Sequence, residues 1–278
     1  MIRFDAYSAT TTEASHVELV DLLTSIAECP VSFQSGRGFH SFGQRLAVKD
    51  DTGSEIGAVS WGGRQGSRCM IEVKGERTPA AVAALRERYW HRVTRADSCA
   101  DFDAVGAFQR LLSPCLEVKA KHRLKGSKFG DWDDFPEDGR TLYLGAPTSA
   151  VRLRMYEKGK QPEYRHLSRP DWVRMEIQAR PAKEAKTAFN SLSAADVWGA
   201  STWSRELAAA VLQEHVDPHP AGTTYRHTER ETALRWMCKQ YGSHLVGLAQ
   251  DLGGWPELGL TLSEMVKEQG KSHMKGSQ

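Results

Sequence analysis

VRLRMYEKG, residues 151–159, alternates between two kinds of side chain. Arg152, Arg154, Tyr156 and Lys158 occupy every second position, with Val151, Leu153 and Met155 between them. Successive side chains of a β-strand point to opposite faces, so this spacing predicts a strand with an apolar back and a charged front. WVRMEIQAR (172–180) repeats the pattern, with Arg174, Glu176 and Gln178 opposite Val173, Met175 and Ile177. In VTRADSCADFD (93–103), Arg95, Asp97, Cys99 and Asp101 fall on one side. One such strand is most often the wet side of an antiparallel sheet. Three of them, combining carboxylates, arginines, a tyrosine and a lysine, predict a site on an open sheet face if the strands are neighbours.

Outward from these strands, the chain reads as an alternation of strands and helices. Residues 2–7 form a strand and 11–27 an amphipathic helix, with Val17, Leu19, Val20, Leu23 and Ile26 at its apolar positions. RLAVKD, EIGAVSW and RCMIEVKG, separated by glycine-containing turns, predict a meander over residues 45–74. Thr78-Pro79 reads as an N-cap followed by proline at the first helical position. A strand over 91–102, a helix over 103–112, a loop over 119–139 and strands over 141–145, 151–158 and 172–179 follow. Helices are expected over 182–192, 204–215, 229–241, 243–252 and 256–266, and no internal repeat is visible. The fold class is α+β: an antiparallel sheet with helices packed on one face and an open catalytic face, followed by a helical C-terminal region. Two prolines and a glycine in residues 217–222 read as a linker. The expected domains are therefore 1–220, a small helical region over 221–268, and a disordered tail over 269–278.

The 278 residues hold 37 Lys plus Arg against 35 Asp plus Glu, a net charge of +2, so any nucleic-acid contact must come from local clustering. Cys29, Cys69, Cys99, Cys115 and Cys238 contain no C-x-x-C pair, which argues for a reducing compartment and against a disulfide framework or structural zinc. No signal-like or membrane-spanning apolar stretch is present, so a cytoplasmic protein with no membrane partner is expected.

The residue types on the three polar fronts suit phosphodiester chemistry. Asp97, Asp101 and Glu176 offer hard oxygen ligands for Mg²⁺ or Mn²⁺, which would polarise a scissile phosphate. Tyr156 offers a phenol that can attack phosphorus and remain as a phosphotyrosine. Its ordinary pKa near 10 calls for a neighbouring cation, and Lys158 is the candidate on the same face.

TLYLG (141–145), VRLRMYEKG and WVRMEIQ resemble consecutive motifs of the replication initiation factor family of filamentous phages, rolling-circle plasmids and integrative elements. VTRADSCADFD is similar to that family's Thr-Arg-x-Asp strand. The resemblance spans roughly residues 2–215, with its specific part in 93–103 and 141–178. It implies a rolling-circle initiator of a bacterial host cell, a site-specific single-strand endonuclease and strand transferase. Tyr156 would nick an origin strand and remain joined to its 5′-phosphate, with Lys158 assisting, before later religation. Asp97 and Glu176 would be metal ligands, with Asp101 as a third. No His-hydrophobe-His motif is present, which fits this family.

Arg95, Arg152, Arg154, Arg174 and Gln178 are the expected DNA contacts of the sheet, and Lys121, Arg123 and Lys125 those of the basic loop, where Trp132 would stack on an unpaired base. Cys99 reads as a buried small hydrophobe. The C-terminal helices carry Leu234, Trp236, Met237, Leu245, Leu248 and Leu252, read first as core and otherwise as a surface for a homodimer or a host helicase. Two other readings stay open: a relaxase with the same chemistry, and a non-catalytic DNA-binding repressor whose carboxylates form salt bridges to Arg95, Arg154 and Arg174.

Overall fold

A computed structural model describes residues 2–130, 132–133, 138–213, 215–222 and 229–275. Ten antiparallel strands form one sheet in the order β2-β3-β4-β5-β1-β6-β10-β9-β8-β7. They are β1 Ile2–Thr11, β2 Ser32–Arg37, β3 Gln44–Lys49, β4 Glu55–Trp61, β5 Cys69–Lys74, β6 Arg92–Asp103, β7 Gly126–Phe129, β8 Thr141–Leu144, β9 Val151–Glu157 and β10 Trp172–Ala179. Seven α-helices occur among the described residues: α1 His16–Ser25, α2 Thr78–Arg88, α3 Ala107–Lys121, α4 Ala185–Ala188, α5 Thr202–Leu212, α6 Glu229–Asp251 and α7 Trp255–Lys275. The chain divides into two compact units, Met1–Thr224 and Tyr225–Gln278.

The α+β architecture expected from the strand patterns is the one observed, with the apolar backs of the strands joined to α1, α2, α3 and α5 in one core. Leu153, Met155, Met175 and Ile177 are fully buried. Cys115 of α3 meets Met155 with the two sulfurs 4.0 Å apart, which places α3 on the back of the sheet. Burying one apolar face of each strand and helix is the dominant favourable term, at roughly 25 cal/mol per Å² removed from water.

Several element boundaries differ from the sequence reading, each for a local reason. The helix expected from Thr11 begins at His16 because Ser15 accepts from Glu18 N while the Glu18 carboxylate accepts from Ser15 N, a reciprocal cap. Val17, expected on its apolar side, is exposed, while Leu19 and Leu23 are buried as expected and Leu22 joins them. Thr78 lies inside the first turn of α2 rather than capping it, and its hydroxyl donates to Asp5 O at 3.1 Å.

α3 runs through Pro114 to Lys121, nine residues past the expected end, because one lost backbone bond is outweighed by burying Phe108, Leu111, Leu112, Cys115 and Val118 on one face. The predicted 119–139 loop therefore begins as helix and continues as edge strand β7 on β8. Residue 131 and residues 134–137 of its acidic part lie outside the described residues. Edge strand β2 is exposed along its whole length and had no alternation to betray it. Only Ala185–Ala188 of the expected 182–192 helix is α-helical.

The 217–222 stretch is not a free linker. His219 N and Ala221 N donate to Gly199 O and Ala200 O, Ala182 N donates to Ala221 O, and Val216 and Ala221 are buried. Its prolines end α-structure without detaching the chain. In the second unit, α6 merges two expected helices. α7 continues through residues 269–275 of the expected disordered tail, while 276–278 lie outside the described residues. Leu234, Met237, Leu248 and Leu252 are exposed, contrary to their reading as core.

The topology also contains a repeat that the sequence hides. Outward from the centre the strands run β1-β5-β4-β3-β2 on one side and β6-β10-β9-β8-β7 on the other. Each half has the same chain order, a strand, a helix, four strands and a helix. The two first strands, β1 and β6, pair at the centre.

Candidate active site

The three polar-fronted strands are adjacent, β6-β10-β9, and their registers bring the front residues together. Gln178 stands opposite Asp97 and Arg174 opposite Asp101 across β10/β6. Glu176 stands opposite Arg154, and Arg174 opposite Tyr156, across β10/β9. Diagonal neighbours on one sheet face lie within reach of long side chains, and the Tyr156 hydroxyl uses this to donate to Glu176 Oε1 at 2.7 Å. The Arg154 guanidinium lies 3.9 Å from the Tyr156 ring centroid, and its Nη1 is 3.7 Å from Glu176 Oε2.

Burial dominates the electrostatics here. It pushes the Tyr156 phenol upward, and the Glu176 charge adds to that, so the resting phenol is neutral. Burial, followed by the charge of Asp5, raises Glu176 to about 7. Burial also raises Asp97 against the opposing effect of Arg95, which grips both its oxygens through Nε at 2.9 and 3.0 Å. Gln178 Nε2 donates to Asp97 Oδ2 at 3.3 Å.

Asp5 belongs to the same face and was missed in the sequence. A β-bulge between Phe4 and Ala6 in β1 breaks the alternation there. Bulges re-aim a side chain, and the Asp5 carboxylate accepts from Arg174 Nη1 at 2.7 Å. The Arg3-x-Asp5 spacing ahead of the bulge was the one legible hint.

Two candidates are engaged elsewhere. Asp101 accepts from Arg174 through Nε and Nη2, both at 2.7 Å, and from Trp172 Nε1 at 2.9 Å. Burial opposes the Asp101 charge, but these contacts outweigh it and hold the carboxyl below its usual range. Lys158 lies beyond the end of β9, in a 3-10 turn over Lys158–Lys160, rather than on the strand's front. Its ammonium is 4.4 Å from the Tyr164 ring centroid and 4.8 Å from that of Trp172. Burial and then Arg174 lower its pKa. Arg154, not Lys158, is the cation over the phenol ring.

Cys99 is fully buried and its thiol is pushed up to about 12 by burial, in keeping with a small hydrophobe. Arg152 covers the Tyr143 ring at 3.8 Å. The Nε atoms of Arg152 and Arg154 are buried without a hydrogen-bond partner.

The basic 119–128 run is not brought to this face. Lys121 ends α3 and pairs with Glu206 of α5 at 2.9 Å. Arg123 adopts left-handed backbone, φ 50°, where a helix-terminating turn closes with Leu124 N on Lys119 O and Arg123 N on Ala120 O. Lys125 O accepts from Gly145 N, tying that residue to the end of β8. Trp132 is packed edge-on against Phe108, with the Lys128 ammonium 4.2 Å from its ring centroid.

Among the described residues no group of three or more His, Cys, Asp or Glu side chains is close enough together to hold a metal ion. Asp97 and Glu176 are nevertheless buried hard-oxygen donors whose charge is incompletely balanced, and Mg²⁺ is commonly held by one or two carboxylates plus water and substrate phosphate. No described helix is long and apolar enough to cross a membrane.

No curated protein matches the chain. A solved structure, the rolling circle replication initiator protein from Geobacillus stearothermophilus, is similar at 17% identity and a TM-score of 0.48, covering 84% of this chain and 91% of that one. The family model described as replication initiation factor matches residues 107–243, the stretch that holds Tyr156, Lys158 and Glu176. Over those residues the chain is similar to the replication initiation factor family, the family its polar-fronted strands resemble.

Proposed function

We propose that this protein initiates rolling-circle DNA replication by nicking one origin strand with Tyr156 and holding the 5′ end covalently until it is rejoined. The observation that carries this reading is the buried hydrogen bond from the Tyr156 hydroxyl to Glu176, on a front lined by Asp97, Arg152 and Arg154.

The phenol proton passes to the Glu176 carboxylate as the Tyr156 oxygen attacks phosphorus. The bond from phosphorus to the 3′ oxygen breaks, and that oxygen takes a proton from water and leaves as a 3′-hydroxyl. The phosphotyrosine keeps the bond energy, so attack by a later 3′-hydroxyl reverses the step and rejoins the strand. Arg154 holds the phenol ring in place, and the partly exposed guanidinium ends of Arg152 and Arg154 meet the strand's phosphates. A divalent cation, Mg²⁺ or Mn²⁺, held by Asp97 and Glu176, would supply Lewis-acid polarisation of the phosphate. Asp101 drops out of that ligand set because Arg174 and Trp172 satisfy its charge and hold its pKa down, whereas burial raises Asp97 in spite of Arg95. Lys158 acts at one remove, beside the Asp5–Arg174–Asp101 cluster.

The division at residues 224 and 225 suits a nicking unit followed by a helical unit that recruits a host helicase or a second copy. A non-catalytic repressor is favoured by one observation: Asp97, Asp101 and Glu176 do stand beside Arg95, Arg174 and Arg154. A supercoiled plasmid bearing the cognate origin, incubated with the protein and Mn²⁺, separates the two. Nicking with a covalent protein–DNA adduct, both lost in Tyr156→Phe, supports the initiator; binding without any nick supports the repressor.

A further inference from the structure

The open face of the first half of the sheet, β1 with β5 and the adjoining edge of β6, carries a cavity of about 570 Å³ for which the nicking chemistry has no use. Phe42 and Met70 give it a buried apolar lining. Ser8, Thr10 and Glu72 place hydrogen-bonding groups in it. This combination, an apolar slot with a few convergent polar groups, is the usual make-up of a small-ligand site.

Its rim is built rather than loose. His40 and Ser41, both at positive φ (53° and 70°), form a turn locked by Gln65 Nε2 on His40 O at 2.7 Å and Arg64 N on Ser41 O at 3.1 Å. A Cβ on Gly63 would meet Ser41 O at 2.6 Å, so only glycine lets the two loops close. Two consecutive non-glycine residues in left-handed backbone cost energy that the surroundings must enforce, and such strain concentrates where a ligand is clamped.

The cavity adjoins the Tyr156 site. A smaller one of about 220 Å³, lined by Asp97, Tyr143, Arg152 and Glu176, shares Arg95 and Arg180 with it. Arg95 and Asp97 are two residues apart on β6, a separation of about 7 Å along the strand. Arg95, Arg152 and Arg180 lie close enough that the first two, after burial, lower the pKa of Arg180. Neither Arg152 nor Arg180 has an ion-pair partner among the described residues, which leaves a surplus of positive charge at the junction of the two cavities.

We infer that the larger cavity receives the base of an unpaired nucleotide flanking the scissile phosphate, with Arg95 and Arg180 gripping the backbone phosphate between base and nick site. The proposal rests on the nicking reading for the position of the scissile phosphate. Glu72 accepts a hydrogen bond from an exocyclic amino group, which cytosine has and thymine lacks, so the slot discriminates between the two pyrimidines.

The test uses the full chain carrying Tyr156→Phe and dye-labelled oligo-dC, oligo-dT and an abasic strand of the same length, with affinity read by fluorescence anisotropy. Oligo-dC should bind about tenfold or more tighter than the abasic strand, the scale expected of a base seated against apolar side chains. Adding Met70→Trp, which fills the slot, should bring oligo-dC down to the abasic affinity and leave the abasic affinity unchanged. An undiminished advantage of oligo-dC in Met70→Trp would overturn the proposal. If Met70→Trp weakens abasic binding as well, Glu72→Leu, which removes the acceptor, decides: loss of the preference for oligo-dC over oligo-dT supports the slot, and an unchanged preference refutes it. Nicking is not needed for any of these readings. Wild-type protein that fails to nick while the base preference holds would sink the nuclease and leave the slot; normal nicking with no effect of either substitution would do the reverse.

Discussion

The Tyr156 hydroxyl and the Glu176 carboxylate are joined by a 2.7 Å hydrogen bond although they lie on different strands and out of direct register, since Tyr156 faces Arg174 and Glu176 faces Arg154. The same burial that keeps the phenol neutral raises its acceptor into the physiological range. Acid and base are thus paired before any substrate arrives.

Tyr156→Phe retains the ring under Arg154 and removes only the hydroxyl. Nicking should fall by ~10⁴-fold or more, the scale seen when an enzyme loses its nucleophile. The covalent adduct on denaturing gels should vanish, and DNA affinity should stay within about twofold. An adduct surviving in the Phe variant would place the nucleophile elsewhere.

Glu176 must be ionised to accept the phenol proton. Burial raises it to about 7, and a cation held by Asp97 and Glu176 favours the carboxylate, so the rise of nicking with pH should lie below about 7 and move lower as Mn²⁺ is increased. Glu176→Gln should lower the rate by roughly 10²–10⁴-fold and flatten that limb of the pH profile. Stability moves the opposite way. A carboxyl whose folded pKa is raised holds its proton longer in the folded than in the unfolded state, so stability is lost as pH rises from the ordinary carboxyl range to about 7. Thermal melts should therefore show the Gln variant losing less stability than wild type between pH 5 and pH 8.

Arg174 is almost fully buried and joins Asp5 to Asp101. Arg174→Met leaves two carboxylates facing each other without their cation, and such a loss costs about 3–5 kcal/mol. Urea denaturation should show that drop, and adding Asp101→Asn should restore part of it. Additive losses in the double variant would mean that the pair is not coupled.

The arginines of the open face and the lysine of the helix layer should separate in a salt titration. Arg152→Ala should reduce the slope of log K against log salt by about 1. Lys121→Ala should leave the slope unchanged, because Lys121 is paired with Glu206 on the helical side of the sheet. A flatter slope for Lys121→Ala would bring α3 back into the DNA interface.

Much of the site was legible because its signal is local. Arg152, Arg154 and Tyr156 share a face through their spacing alone, and so do Arg174, Glu176 and Gln178. Lys158 and Asp101 are placed or partnered differently from what their spacing implies, for the complementary reason. The spacing holds only while the strand lasts, and β9 ends at Glu157. Asp101 keeps its face but loses its freedom to Arg174, a residue 73 positions away. Asp5 was hidden by a bulge, which inserts one residue and breaks the period that sequence reading depends on.

The order of the amino acids by itself determined which residues alternate, and hence that this chain builds strands with an apolar back and a chemically equipped front. Those preferences act between residues two to four apart and need no knowledge of the rest of the molecule. Tertiary structure alone decided that β6, β10 and β9 are neighbours, that the sheet doubles about β1 and β6, and that Glu176 rather than Lys158 meets the phenol. Strand order and register follow from burying every apolar back against one helical layer at once, a condition set by the whole chain and written in no short stretch of it.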